Sequence, residues 1–424
     1  MKVWILNHYA VVPDLPGPTR HFDFGSELVR RGHSVRVFAS AFNNHTLRDE
    51  KLEPGRRHRH ENIAGVDFVW IRTARHAQND WRRVVNMLSY TLRVVLLGVR
   101  LGEKPDVILA SSPHLLAGLA GWLLARLKKA QFVLEIRDLW PEALVEIAGY
   151  HRRSPVVLFL RSVEKFLYGR ASRIITVIPN AAEYVVSMGV RADRIVQIPH
   201  GVNPAPSVDR EYDLPEATEG VIADLKQGGK LIVCYTGLHG SANDLDSLIC
   251  AARIVQDREA ANVHFLLVGG GTERARLRER SAGLGLNNVS FCEPVPKRAI
   301  PSLLSLVDIA VKPTLRSGLA KYGNLPSKTF DYMLAAVPIV WAAGSLVNDP
   351  VAEAHCGISV APQCPEEMAD AVIRLAGLSD SERREMGRRG RDFVMMHHTV
   401  PVLASRLLEA IGDGQQPRAR SANH

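Results

Sequence analysis

Residues 230–271 read KLIVCYTGLHGSANDLDSLICAARIVQDREAANVHFLLVGGG, and they determine the class of fold to expect. Two apolar runs, 230–237 and 264–271, each end in glycine, and a helical pattern occupies 243–257 between them. Apolar runs that alternate with helices are typical of parallel strands joined by crossover helices. Three further apolar runs, NVSFCE, DIAVKP and PIVWA, extend the same pattern toward the C-terminus.

The first half of the chain shows the same alternation. Predicted helices near 19–31, 81–103, 114–129, 155–170 and 180–188 separate predicted strands at 3–7, 34–40, 66–71, 106–111, 131–136 and 173–178. The Pro- and Gly-rich segment IPHGVNPAP (198–206) indicates a hinge between the two halves. We therefore predict an α/β protein with two Rossmann-like, doubly wound parallel-sheet domains, whose sites lie at the carboxyl ends of the strands and face a shared cleft.

Four segments follow from this pattern. We assign an N-terminal domain to 1–200, a C-terminal domain to 201–385 and helices that cross back to the N-terminal domain to 386–412. The polar tail 413–424 is expected to be disordered.

Composition and charge narrow the possible partners. The five cysteines of this 424-residue chain lack CxxC spacing, which favours reduced thiols in a cytosolic protein over disulfides or zinc. MKVWILNHYA enters a strand without a small-residue cleavage site, so we expect no signal peptide. Residues 1–200 hold 29 Lys and Arg against 18 Asp and Glu, a charge of +11 that exceeds the +9 of the whole chain. A basic first half predicts an anionic partner.

A lysine stands at the predicted start of a helix in KYGNLPSKTFDYMLAAVPIVWA, residues 321–342. We expect Ser327 to be the N-cap, with its hydroxyl accepting a backbone N–H. Lys328 then lies in the first turn, where the helix macrodipole disfavours a cation. Free amides, the positive dipole end and a lysine would form a phosphate site, and Asp331, on the same face as Ser327, would hold a hydroxyl of the same ligand. The alternative is a solvated surface lysine.

The other glycine motifs are weaker indicators of function. VGGGTERARL (268–277) has Arg274 in place of the third glycine of a dinucleotide fingerprint, so we predict only a tight strand-to-helix turn. YTGLHGSANDL (235–245) is a second glycine turn, and NHYAVVPDLPGPTRH (7–21) is a long first loop. None of them is a P-loop, because GxxxxGK[ST] is absent from the sequence.

Together these motifs resemble the GT-B glycosyltransferases, and more narrowly family 4. EIRDLWPEAL (135–144), the first loop, the HGV hinge and YGNLPSKTFDYMLAAVPIV are similar to a bacterial branch of the N-acetyl-fucosaminyltransferase type, which builds O-antigen, capsule or exopolysaccharide. The resemblance covers nearly the whole chain. It implies a nucleotide-sugar substrate, UDP-sugar by expectation, with no metal and no other cofactor.

The resemblance also implies a set of donor-binding residues: Gly17, Gly237, Gly323, Asn324, Leu325, Pro326, Ser327, Lys328 and Asp331. Family 4 proteins usually show two glutamates separated by seven residues here. Asp331 stands at the second position, which binds the ribose, while the first, which contacts the sugar, falls on Gly323. The usual basic residues after the first strand of the C-terminal domain are also not evident in TGLHGSANDL. Lys328 would supply part of that missing charge.

In the N-terminal domain we expect the catalytic residues Asp138, His114 and Glu135. The resemblance implies that His114 contacts the donor sugar, and either acid would orient or deprotonate an acceptor hydroxyl. Arg137 and Trp140 are the expected acceptor-binding residues, since they follow a strand end. Two alternatives stay open: His114 as an N-cap neighbour on a polar loop, and an Arg–Asp pair that only braces the loop.

Residues 81–104 form an amphipathic helical pattern. Its polar stripe includes Arg82, Arg93 and Arg100, and its wide apolar face suits a helix in the membrane interface. Arg72, Arg75 and Arg83 would add contacts with lipid phosphates. A core helix packed on the sheet is the alternative. We expect an anionic membrane surface and no nucleic acid as partner, and a cytoplasmic, peripheral location at the inner face of the plasma membrane.

The sequence thus predicts a glycosyltransferase. It would move a sugar from a UDP-sugar to a lipid-linked (polyprenyl-diphosphate) saccharide in surface polysaccharide biosynthesis, with retention at the anomeric carbon. Two alternatives are a UDP-sugar 2-epimerase, which shares the fold, and a non-catalytic nucleotide-sugar-binding subunit, which the loss of the first motif glutamate at Gly323 would permit.

Overall fold

A computed structural model describes residues 1–76, 81–146, 148–204, 214–259, 262–323, 326–345 and 347–412. The N-terminal domain is built on one sheet with the order β10-β9-β8-β7-β1-β2-β6-β5, in which only β5 runs antiparallel to its neighbour. Its strands, with the small β3–β4 ribbon, are β1 (Lys2–Leu6), β2 (Ser34–Ser40), β3 (Phe42–Asn43), β4 (Arg48–Asp49), β5 (His58–Ile63), β6 (Val66–Ile71), β7 (Val107–Ser111), β8 (Gln131–Ile136), β9 (Arg173–Thr176) and β10 (Ile195–Gln197).

Helices cover both faces of this sheet because its strands carry apolar side chains on both sides. The helices are α1 (Arg20–Arg30), α2 (Trp81–Arg100), α3 (Leu115–Lys128), α4 (Glu142–Glu146), α5 (Pro155–Arg170) and α6 (Ala181–Ser187). Helices α2, α3 and α5 bury Tyr90, Leu124 and Leu167 in one core layer. Helix α1 buries Phe24 and Leu28 in the other.

The C-terminal domain repeats this design with a wholly parallel sheet of order β13-β12-β11-β14-β15-β16. Its elements are α7 (Glu216–Gln227), β11 (Leu231–Thr236), α8 (Leu245–Asp257), β12 (Val263–Val268), α9 (Arg274–Gly283), β13 (Val289–Cys292), α10 (Ile300–Ser305), β14 (Ile309–Pro313), α11 (Ser327–Leu334), β15 (Ile339–Ala342), α12 (Pro350–Glu353), β16 (Gly357–Ser359), α13 (Pro365–Ala376) and α14 (Asp380–His397). The predicted pair of doubly wound domains is therefore confirmed.

The chain passes between the domains twice, and the two passages lie side by side. The Val202 N–H donates to the His398 carbonyl over 2.9 Å, and the Val400 N–H donates to the Val202 carbonyl over 2.8 Å. Helix α14 packs its Val394 into the C-terminal domain, whereas α15 (Val400–Gly412) packs Leu403 onto the N-terminal domain. The return passage thus lies at residues 398–399. The tail 413–424 lies outside the described residues.

Five strands were not predicted, among them β3 and β4, which have only two residues each. β5 consists of HRHENI, which is polar and largely exposed, so no apolar pattern marks it. β10 and β16 have only three residues each, too few to show a period. Across the described ranges, no helix has both the length and the apolar character needed to span a bilayer.

Candidate active site

A cavity of about 720 Å³ lies in the cleft between the two domains. The start of α1 lines one side, residues 200–204 of the hinge line the floor, and α10 and α11 line the other side. Because both sheets direct the carboxyl ends of their strands toward this cleft, loops from both domains meet there.

The domains are in contact at the edge of this cavity. The backbone N–H of Lys297 donates to the Leu15 carbonyl over 3.4 Å, and that of Arg298 donates to the Pro13 carbonyl over 3.1 Å. The Arg298 guanidinium also pairs with the Asp14 carboxylate at 2.5 Å. The long first loop predicted from the sequence is thus held against the C-terminal domain.

Glycine turns after β11 and β12 pack against each other. Gly237, Gly269 and Gly271 all have positive φ angles, of 138°, 153° and 142°. A Cβ on Gly269 would collide with the Gly237 carbonyl, and a Cβ on Gly237 would lie 2.5 Å from the Lys328 Nζ. Glycine is required where backbones approach this closely. The VGGG segment is the tight turn predicted from the sequence, and Gly237 and Lys328 lie together.

The start of α11 differs from the prediction. Pro326 is the N-cap, and no side chain caps the helix, so Ser327 occupies the first helical position and accepts no backbone N–H. The expected N-cap role of Ser327 is therefore wrong, because proline's φ of −65° already suits the position before the helix. The Thr329 N–H donates to the Pro326 carbonyl at 3.0 Å, and Ser327 lines the cavity, so the positive end of the α11 dipole lies at the cavity.

Lys328 points back toward β11. Its Nζ donates to the Tyr235 hydroxyl over 2.9 Å and lies 4.6 Å from the centre of the Tyr235 ring. Burial lowers the pKa of the Lys328 ammonium to about 8. This is not a solvated surface lysine, and its charge lies close to the uncapped amides of its own helix.

Asp331 faces the cavity from the middle of α11. Its carboxylate pairs with the Lys297 Nζ at 2.5 Å. Asp23 on α1 lies across the cleft from this pair and accepts a hydrogen bond from the Thr19 hydroxyl at 2.6 Å. Burial raises the pKa of Asp23 to about 6, and the nearby Asp331 raises it further while Lys297 opposes it. A nucleoside bound here would contact charged groups of both domains.

The remaining donor-side residues lie around this centre. Gly17 has a φ of 136°, and a Cβ there would lie 3.0 Å from Val11. Gly323 has a φ of 95°, and a Cβ there would lie 2.8 Å from Pro179 of the N-terminal domain. A glutamate at position 323 would therefore be strained and would collide with Pro179. Asn324 and Leu325 lie outside the described residues.

Glu135 lies inside the N-terminal domain rather than on the cleft wall. It accepts hydrogen bonds from Arg20 Nε and His21 Nε2, both at 2.8 Å, and from Ser111 Oγ at 2.6 Å. Burial would raise its pKa, but Arg20 and His21 hold the pKa well below its usual range. Arg20 also donates to the carbonyls of Ile198 and Pro199 at the hinge. This geometry corrects the expected role of Glu135 as a base: the side chain has no acceptor hydroxyl to reach and instead braces the hinge.

His114 is the N-cap of α3, with its Nδ1 accepting the Ala117 N–H at 3.2 Å. Its Nε2 lies 2.9 Å from His8 Nδ1, so Nε2 of His114 carries the proton and donates it. Burial lowers the pKa of His114 to about 3. Both ring nitrogens are engaged within the protein, which corrects the expected sugar contact: the ring orients His8 instead. His8 in turn stacks between Tyr9 and Tyr90.

Asp138 is exposed just past the end of β8, three residues beyond Glu135. The surrounding protein raises the pKa of its carboxyl, although Arg137 and Arg83 oppose this shift. Ser112 Oγ accepts the Arg137 N–H at 2.8 Å and so fixes the strand end. Trp140 packs its ring against the core layer under α3. Of the two predicted acids, Asp138 is the one that a substrate can reach.

Helix α2 has one buried and one exposed face, and the exposed face is the wide apolar one; its contact with a membrane stays a prediction. Asn86, Tyr90 and Val94 are buried against the sheet, while Trp81, Val84, Val85, Leu88, Leu92, Leu96 and Val99 are 41–68% exposed. Arg93 donates to the Arg72 carbonyl at 2.5 Å. Arg83 lies near Asp138, His8 and His114, whose pKa values it lowers. Arg83 and Arg93 therefore face protein rather than lipid.

Several residues of the cleft gave no signal in the sequence. Asp23 and Lys297 are ordinary charged residues at helix starts until the two domains meet. His239 is fully buried in the glycine turn after β11, and neither of its ring nitrogens has a hydrogen-bond partner among the described residues. Lys312 is buried in β14 beside Lys328. Only the spatial arrangement groups them.

Comparison with known proteins identifies both domains. Residues 19–201 match the glycosyl transferase 4-like domain, and residues 229–377 match the glycosyl transferases group 1 family. The putative colanic acid biosynthesis glycosyl transferase WcaI of Escherichia coli (strain K12) is 25% identical over 217 residues, which are 48% of this chain and 50% of that protein. This chain therefore matches about half the length of that relative.

Two solved structures share the whole fold. Sucrose-phosphate synthase from Thermosynechococcus elongatus has a TM-score of 0.75 at 17% identity, over 97% of this chain and 98% of that one. Anabaena Alr3699/HepE in complex with UDP-glucose has a TM-score of 0.67 at 16% identity, over 97% and 100%. The chain is a glycosyltransferase of the GT-B fold, formed by a glycosyl transferase 4-like domain and a glycosyl transferases group 1 domain.

Proposed function

We propose that this glycosyltransferase moves a sugar from a UDP-sugar to a hydroxyl of a lipid-linked (polyprenyl-diphosphate) saccharide, with retention, during surface polysaccharide assembly. The observation that carries the proposal is the convergence of Lys328, the Gly237 turn and the start of α11, whose Ser327 and Asp331 line the interdomain cavity. The sequence resemblance to the O-antigen and capsule branch and the similarity to WcaI support the pathway class.

On the donor side, the diphosphate would bind the first amides of α11 and the Lys328 ammonium. Charge-assisted contacts of this kind stabilise the negative charge that grows on the departing diphosphate. Asp331 would accept hydrogen bonds from the ribose hydroxyls. Its ion pair with Lys297 must then open or widen, so that Lys297 turns toward the nucleotide.

On the acceptor side, the exposed carboxylate of Asp138 would face the acceptor. Its raised pKa brings it closer to the pH at which a base works efficiently. Asp138 would orient the acceptor hydroxyl and take its proton as the bond to the sugar forms. Arg137, beside it, would bind the acceptor's polar groups.

The exposed apolar face of α2 would rest on an anionic lipid surface. Val156, Leu158 and Phe159 at the start of α5 are 50–60% exposed and enlarge this face, with α3 lying between the two helices. A lipid bilayer is the occupant we favour because the N-terminal half carries a charge of +11, and because a lipid-linked acceptor must reach the cleft from a membrane. The first turn of α2, which holds Arg83, connects this face to the acceptor side of the cleft.

Mass spectrometry tests the proposal. The purified protein is incubated with lipid-linked saccharides and a panel of UDP-sugars, with and without the lipid acceptor. The expected result is a lipid product heavier by one sugar, formed only when both substrates are present. Conversion of the donor to an isomer without acceptor would identify the 2-epimerase instead. Binding of UDP-sugar without any conversion would identify the non-catalytic subunit.

A further inference from the structure

A second lysine is buried at the strand ends of the C-terminal domain. Lys312, in β14, is only 3% exposed. Its Nζ donates to the Pro313 carbonyl at 2.5 Å and to Thr314 Oγ1 at 2.7 Å, and neither oxygen carries a charge. Burying an ammonium with neutral partners costs free energy that an ion pair would offset. The position of Lys312 therefore needs a reason beyond packing.

Lys312 and Lys328 belong to one cluster. β14 pairs with β11, so the end of β14 lies beside the Gly237 turn that holds Lys328. Burial lowers the pKa of Lys312 well below its usual range, the charge of Lys328 lowers it further, and Asp244 opposes both. Two ammonium groups that repel each other in a buried site are stabilised by an anion placed between them.

His239 gives independent support for a ligand at this point. Its ring is fully buried in the same turn, with both nitrogens unpartnered among the described residues. Buried polar groups without partners are rare in native proteins and call for an explanation, which a ligand at this turn would supply. Burial lowers the pKa of His239 to about 4, with Arg274 and Lys328 acting in the same direction, so a neutral ring with one N–H donor faces the cluster.

We propose that Lys312 is a second diphosphate-binding cation of the donor site, which lies on β14 beside Lys328 and the Gly237 turn. The inference rests on the proposed function, since it requires a nucleoside diphosphate in the cleft. It explains how the site balances two phosphate charges although TGLHGSANDL contains no Lys or Arg. Lys328 and Lys312 would approach the diphosphate from a helix and from a strand, respectively.

The proposal predicts that the protein takes up protons when it binds UDP. Lys312 faces Lys328 and Asp244, while Lys328 faces Lys297, Asp331 and the Tyr235 hydroxyl. The pKa of Lys328 is about 8 in the free protein, so above pH 8 a fraction of its ammonium has lost its proton, and the pKa of Lys312 is lowered well below its usual range. A bound diphosphate raises both values again, and the protein must then take up protons from solution.

Calorimetric titration with UDP and with uridine tests the role of Lys312. Lys312→Met should weaken UDP binding by at least about tenfold, the loss of one charge-assisted contact, and leave uridine binding unchanged. The matched control is Lys226→Gln, since Lys226 pairs with Asp308 at the amino ends of β11 and β14, away from the ligand, and should alter the binding of neither UDP nor uridine. Unchanged UDP affinity in Lys312→Met, or an equal loss for UDP and uridine, would overturn the proposal.

Proton uptake by the unmodified protein provides a test that no folding defect can obscure. UDP binding is measured at pH 8.5 in two buffers that differ in ionisation enthalpy, and the difference gives the protons taken up. We expect uptake with UDP and none with uridine. Equal heats in both buffers would refute the role of the two lysines. If the protein binds neither UDP nor uridine, the proposed nucleotide site in the cleft is wrong. That outcome differs from UDP binding without proton uptake, which refutes only the role of the two lysines.

Discussion

Glu135 and Asp138, two carboxylates at the end of β8, should respond differently when each is changed to its amide. Glu135→Gln should lower stability, whereas Asp138→Asn should lower turnover. Glu135→Gln leaves Arg20 and His21 buried opposite an amide that carries no charge. Removing one partner of a buried ion pair costs roughly 3–5 kcal/mol. Asp138→Asn alters an exposed side chain, where a substitution changes stability by about 0.5 kcal/mol or less.

The difference in stability between the two variants can be expressed as a shift of the thermal unfolding midpoint. A domain of about 200 residues loses roughly 2–4 °C for each kcal/mol, so Glu135→Gln should lower the N-terminal domain's midpoint by roughly 6–20 °C. Asp138→Asn should shift it by about 2 °C at most. Turnover, measured with saturating UDP-sugar at a temperature where all variants are folded, should fall at least about 100-fold in Asp138→Asn and little in Glu135→Gln.

The pH dependence of stability distinguishes the loss of the Glu135 charge from a mere loss of packing. Because the pKa of Glu135 is held below its usual value of 4.5, its ionised form stabilises the fold above that pH, and this stabilisation is lost as pH falls toward the folded-state pKa. The stability gap between the unmodified protein and Glu135→Gln should therefore narrow below about pH 4.5. An unchanged midpoint in Glu135→Gln, or a larger loss of turnover there than in Asp138→Asn, would refute the assignment of the two acids.

Further predictions concern the donor, the base and the membrane. Lys328→Ala should weaken UDP binding roughly 10- to 150-fold in calorimetry while leaving the circular dichroism spectrum intact, since it removes a charge-assisted contact. Turnover should fall as pH drops through the raised pKa of Asp138, because a base must be ionised; a pH–rate profile flat down to pH 4 would contradict that role. Replacing Leu88 and Leu92 by Ser should abolish co-sedimentation with anionic vesicles. Arg278→Gln, an exposed charge of the C-terminal domain, is the control, and equal binding to neutral vesicles in low salt would argue against a lipid surface.

The fold was readable from the sequence because its central strands are buried on both faces. β1, β7 and β8 are short, nearly continuous apolar runs separated by helical patterns, which is the signature of a parallel sheet. β5 escaped detection because an edge strand with exposed histidines shows no apolar pattern and is recognisable only by its pairing with β6. An apolar sequence pattern thus indicates burial, and an exposed strand lacks such a pattern.

The motif predicted for the donor side was readable in the sequence, because most of its residues are contiguous around α11. The role of Glu135 was not, since its partners Arg20 and His21 lie more than 110 residues earlier in the chain. Periodicity likewise could not decide which face of α2 is buried: the wide apolar face is exposed, while the buried face contains the polar Asn86 beside Tyr90 and Val94. Lys312 was hidden for the same reason: a single lysine in a strand gives no indication of what lies beside it.

A crystal structure with bound UDP is the most direct test of the donor site on which this account rests. We predict that the diphosphate lies at the N-terminus of α11, with phosphate oxygens about 2.7–3.2 Å from its first amides and from Lys328 Nζ, and with the ribose beside Asp331. UDP bound in the cleft with its diphosphate away from α11, or UDP bound outside the cleft, would contradict it.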